Sequence, residues 1–103
     1  MPIYRTPHGI EFLYSTDEEL TGPRGGKIPF STLLGFSVSI TKYSAKAATC
    51  EAFDQMIDHV RALGGNAAIC VTTQINQPPY GNVNVTVTIT GTAVKAHLRP
   101  SHR

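Results

Sequence analysis

Between Leu33 and Tyr43 apolar and small polar residues alternate: Leu34, Phe36, Val38 and Ile40 interleave with Gly35, Ser37, Ser39 and Thr41. A period of two places successive side chains on opposite faces of an extended chain, so a strand buried on one face is expected there. The period then changes. From Ala45 to Leu63 the residues Ala45, Ala48, Ala52, Phe53, Met56, Val60 and Leu63 recur at three- and four-residue steps, with Glu51, Asp54, Asp58 and Arg61 opposite them. That spacing predicts an amphipathic helix. Ser44 is placed to cap its first turn with a hydroxyl, and Gly64 and Gly65 to end it.

The period of two returns directly afterwards. Ala67, Ile69, Val71, Thr73 and Ile75 alternate with Ala68, Cys70, Thr72 and Gln74, and Gln77 to Asn82 reads as a hairpin loop around two prolines and a glycine. A last strand from Val83 to about Lys95 sets Val83, Val85, Val87 and Ile89 against Asn84, Thr86, Thr88 and Thr90. The first third is broken by Pro2, Pro7, Gly9, Gly22, Pro23, Gly25, Gly26 and Pro29, which leaves room for one short strand at 10–14 and a loop from Asp17 to about Phe30. The expected fold is α+β, a small, mostly antiparallel sheet covered on one face by one main helix. The other face, with Thr86, Thr88, Thr90, Cys70 and Ala68, must then meet water or another subunit.

Composition narrows this. With 103 residues there is one core and one domain: an irregular region at 1–32, a strand-helix-hairpin core at 33–95 and a basic tail at 96–103. Only 16% of residues are charged, against a norm of about 25%, which leaves surface for another subunit to cover. The net charge of +2 does not predict nucleic-acid binding. There is no apolar run of membrane-spanning length and no apolar signal core after Met1, so the expected location is the cytoplasm, with Cys50 and Cys70 as reduced thiols.

Two segments carry a resemblance. Arg61-Ala62-Leu63-Gly64-Gly65-Asn66-Ala67-Ala68-Ile69 is similar to the Leu-Gly-Ala-Asn/Asp-Ala signature of the YbjQ-like putative heavy-metal-binding family, where a helix runs into an apolar strand. Gly91-Thr92-Ala93-Val94-Lys95 resembles the Gly-Thr-Ala-Val ending of that family's last strand. Gly65 stands where the family usually has alanine, and residues 1–32 resemble nothing in it. The resemblance implies one helix against a sheet, assembly into a homo-oligomeric ring, commonly a pentamer, and no catalytic residues. It carries over no ligand set and names no cofactor.

A soft metal needs converging thiolates or imidazoles, and the chain offers Cys50, Cys70, His8, His59, His97 and His102 without metal-ligand spacing. Cys70 is the candidate metal ligand, because a mid-strand thiol repeated around an oligomer axis makes a site that one chain lacks. Its plain alternative is a small residue packed in a sheet. Thr21 to Ile28 has the glycines of a phosphate loop without its required spacing, and reads as a surface loop. Asn84-Val85-Thr86 matches a glycosylation acceptor but falls in an expected strand. Lys95, His97, Arg99, His102 and Arg103 read as a solvated tail, and Asp17, Glu18, Glu19, Asp54 and Asp58 as solubilising carboxylates. The expectation is a homo-oligomeric binding module for a metal or other small ligand. The alternative is a structural ring that docks a partner protein, and an enzyme is not expected.

Overall fold

The computed structural model of the protein describes residues 3–5, 11–22, 25–77 and 84–97. Strands β1 (Ile3–Arg5), β2 (Glu11–Tyr14), β3 (Leu20–Thr21), β4 (Lys27–Ile28) and β5 (Phe30–Lys42) precede helix α1 (Ala45–Ala62), and β6 (Ala67–Asn76) and β7 (Val85–Ala96) follow it. One mixed sheet runs in the order β1-β2-β6-β7-β5, and β3 and β4 form a separate two-stranded ribbon. Within the sheet β2 and β6 are parallel and the other pairs antiparallel.

The chain crosses from β5 through α1 to β6, leaving a gap of one strand that β7 fills. Both β5 and β6 pair antiparallel with β7, so they run in the same direction, as strands joined by a helical crossover do. The helix lies mainly over β5 and β7.

Its ends are built as the residues foretell. Ser44 is extended, and its Oγ accepts the Ala47 N–H at 3.1 Å. At the other end the Gly64 N–H reaches the Arg61 carbonyl and the Gly65 N–H the Val60 carbonyl, both at 2.9 Å. This is a Schellman closure, and the φ of +89° at Gly64 is the left-handed conformation it requires. Ala48, Ala52, Phe53, Met56, Ile57 and Val60 are buried. They pack with Phe36, Val38 and Ile40 of β5 and Val85, Val87, Ile89 and Ala93 of β7 in one core.

The second face of the sheet differs from expectation. Its threonine half is there: Ser39 Oγ bonds Thr88 Oγ1 at 3.0 Å and Thr41 Oγ1 bonds Thr86 Oγ1 at 2.8 Å, on the exposed side. The other half is covered by the β3–β4 ribbon, whose Leu20 and Ile28 pack with Ala67, Ile69, Val94 and Ala96 in a smaller core. Ala68 lies in the helix-side core and Ala67 and Ile69 do not, so the two faces of early β6 are exchanged relative to the expectation. The cause is an irregularity between Ile69 and Thr72, which shifts the alternation by one residue before Val71 returns to the helix side. Strands β1, β3 and β4 went unread because two or three residues hold no period. The expected hairpin loop lies, from 78 to 83, outside the described residues.

Candidate metal centre

Cys70 sits in that irregularity. Cys70 and Val71 together face the single residue Gly91, since Ile69 pairs with Thr92 and Thr72 with Thr90. This is a bulge, and Cys70 has φ +54°, in the left-handed region where a residue with a Cβ costs about 1 kcal/mol more than glycine. On the side away from β7 the Cys70 N–H donates to the Asp17 carbonyl at 2.8 Å. Ser15 completes the support: its N–H donates to the Ala68 carbonyl and its carbonyl accepts the Val71 N–H, each at 3.0 Å. The thiol is half-buried on the face away from α1, beside the smaller core.

Asp17, expected as a solubilising carboxylate at the start of a loop, and Ser15, for which the sequence raises no expectation, hold this bulge. The Ser15 hydroxyl donates to Asp17 Oδ1 at 2.7 Å and the Glu19 N–H to the same oxygen at 2.9 Å. The Glu19 N–H first, and the Ser15 hydroxyl second, keep the Asp17 carboxyl below its ordinary pKa. A Ser-x-Asp sequence after a strand is the signal that was available, because such side chains form local turns with nearby N–H groups.

The other candidate donors are dispersed. Cys50 is exposed on α1, on the opposite side of the sheet from Cys70, and neither thiol is in a disulfide. His59 is exposed on the same helix with its ring 6.5 Å from that of Phe36. His97, beyond β7, bonds Ser31 Oγ through Nε2 at 3.1 Å. His8 and His102 lie outside the described residues, as do Pro23 and Arg24 of the glycine-rich loop and the tail from residue 98. Asp58 is exposed as expected, whereas Asp54 is half-buried and its Oδ1 is shielded with no partner among the described residues. No group of three His, Cys, Asp or Glu side chains converges among the described residues. Among the described residues of one chain, these side chains do not fit a metal site.

The signature at the helix end is architectural. Asn66 donates its N–H to the Val94 carbonyl at 3.0 Å. Its side-chain amide takes the Ala96 N–H on Oδ1 at 2.7 Å and gives Nδ2–H to the Ala96 carbonyl at 3.1 Å, standing in for one more residue of a neighbouring strand. Gly65 lets this approach happen: a Cβ there would lie 2.8 Å from the Val94 oxygen and 2.9 Å from Val60 Cγ1. Replacing Asn66 by alanine is expected to cost about 1–2 kcal/mol, and aspartate, which keeps the bond from the Ala96 N–H, to cost less. Urea denaturation at fixed protein concentration measures both.

A split β-α-β sheet with one covering helix, closed by this glycine and asparagine junction, defines a small two-layer α+β domain. Residues 30–97, two thirds of the chain, match the model of the YbjQ-like family, described as putative heavy-metal-binding, and the chain belongs to that family. The matched span begins with β5, so β1 to β4 are outside it. A comparison with curated proteins found no match. No helix among the described residues is long and apolar enough to cross a membrane.

Proposed function

We propose that this chain is a homo-oligomeric binding module, a ring and not an enzyme, that holds a heavy-metal ion or another small ligand between subunits in the cytoplasm. The observation that supports it most is Cys70, a half-buried thiol kept in a left-handed conformation that glycine would adopt without strain. Strain retained at a chemically able residue is a pointer to function. Among the described residues the donors of one chain do not converge, which supports a site that collects thiols from several copies. Membership of the family agrees with a metal as the ligand.

The test is light scattering on a size-exclusion column with elemental analysis of the peak under reducing conditions. The expected result is an oligomer carrying metal in fixed ratio to subunits. Cys70→Ser and Cys70→Gly should both lose the metal and keep the fold, with the glycine variant at least as stable as wild type because the backbone strain is gone. An oligomer that never carries metal turns the reading to the structural ring, which the exposed apolar residues at the sheet edges favour.

A further inference from the structure

The β3–β4 ribbon has no ladder to the five-stranded sheet: its two strands pair only with one another, Leu20 with Ile28 and Thr21 with Lys27. Its other bonds also stay within it. The Gly22 N–H donates to the Gly26 carbonyl at 2.7 Å, the Gly25 N–H to the Gly22 carbonyl at 2.9 Å, and Lys27 Nζ lies 2.9 Å from Glu19 Oε2. Backbone bonds to the sheet flank the ribbon instead. The Cys70 N–H donates to the Asp17 carbonyl on one side of it and the His97 N–H to the Pro29 carbonyl on the other, each at 2.8 Å. Among the described residues from Glu18 to Ile28, no hydrogen bond or ion pair reaches the sheet.

What holds the ribbon down is apolar contact. Leu20 is 1% exposed and packs, with Ile28 beside it, on Ala67, Ile69, Val94 and Ala96. The half-buried Cys70 packs against the same cluster. A two-stranded ribbon is marginally stable by itself, and segments held by few apolar contacts open locally at far less cost than global unfolding. The helix-side core does not depend on the ribbon, since none of its residues belongs to β3 or β4. The anchor at Pro29 adjoins Phe30, where the span matched to the family begins, so the ribbon is an addition to the matched domain.

We propose that the ribbon is a lid that swings on its two anchors, at Asp17 and Pro29, and in opening uncovers the Cys70 thiol and the apolar bed beneath Leu20 while the helix-side core stays closed. As a gate it rests on the reading of Cys70 given above and adds regulation to it: entry of a ligand to the thiol waits on the lid. The opening itself needs no ligand. Its cost is set chiefly by Leu20, which alone among the described ribbon residues is fully buried.

The test measures how fast Cys70 reacts with iodoacetamide in the reduced, metal-free full chain carrying Cys50→Ser, with circular dichroism to show that each variant is folded. The reaction should be slower than in the unfolded chain and only weakly dependent on urea below the unfolding transition, because a local opening exposes little surface. Leu20→Ala, which weakens the lid, should raise the rate about 10-fold or more. Ile28→Ala, at a half-buried position, is a milder second variant and should raise it in the same direction. Met56→Ala, which weakens the helix-side core instead, should leave it unchanged. Equal acceleration by Leu20→Ala and Met56→Ala, with a steep urea dependence, would mean that the thiol is reached only through global unfolding and overturns the lid. A thiol that reacts as fast as in the unfolded chain, or whose rate ignores Leu20→Ala, overturns the gate. The expected rates in a protein that never carries metal keep the lid and remove only the metal.

Discussion

Replacing Gly91 by alanine is expected to lower the unfolding free energy by about 2–3 kcal/mol, the upper part of the range for overpacking. Gly91 pairs with Phe36 on β5 and stands opposite the Cys70 bulge on β6. A Cβ at this position would lie 2.9 Å from Phe36 Cζ and 3.0 Å from the Ile69 carbonyl oxygen. The ring can swing only into a filled core, and the carbonyl belongs to the backbone that sets up the bulge. The added methyl therefore pushes on the helix-side core and on β6 at once. Urea denaturation of the variant alone and combined with Phe36→Leu separates the two effects. If the ring carries most of the clash, the double variant is more stable than the sum of the single changes predicts, by at least about 0.5 kcal/mol. Strict additivity would mean that the Ile69 carbonyl carries it instead.

The second large effect is expected at Met56. It is fully buried on α1, in the core shared with β5 and β7. Met56→Ala removes most of that side chain and leaves a cavity beneath the helix, at a cost of about 2–5 kcal/mol. Met56→Leu keeps the volume and should cost less than about 1.5 kcal/mol. Thermal or urea unfolding at one protein concentration checks both, because the stability of an assembling chain depends on concentration. Equal losses for the two variants would show that the thioether, not the volume, matters at this site.

Much of this fold is legible before any coordinates are known. Helix α1, its Ser44 cap and its glycine closure follow from a three- and four-residue period with a capping hydroxyl before it and two glycines after it. Strands β5 and β7 follow from clean alternation, as does their division into an apolar helix side and a hydroxyl side. Strand β5 nevertheless begins at Phe30, earlier than its alternation suggests, because a register shift between Thr32 and Gly35 interrupts the period. Ile57 is a similar case. It is buried although the apolar stripe was read without it.

The candidate site was legible only in its chemistry. A thiol at Cys70 can be read from the chain, but the bulge that holds it depends on Gly91, Ser15 and Asp17, distant in sequence. The same bulge exchanges the faces of Ala67 and Ala68, because in a strand one inserted residue reverses every side chain on one side of it. The role of Asn66 was hidden for a related reason: its partner, Ala96, is thirty residues away.

By itself, then, the sequence determined the elements whose side chains repeat with a period, their caps, and membership in a family through the helix-strand junction. These are local properties, set by neighbours along the chain. Only the tertiary structure decided which strands border open edges, how the ribbon of β3 and β4 covers half of the second face, and that the thiols and imidazoles of the described residues do not converge in one chain. Those features arise from pairing between distant segments, where a single bulge or a two-residue strand changes the outcome and leaves no periodic trace.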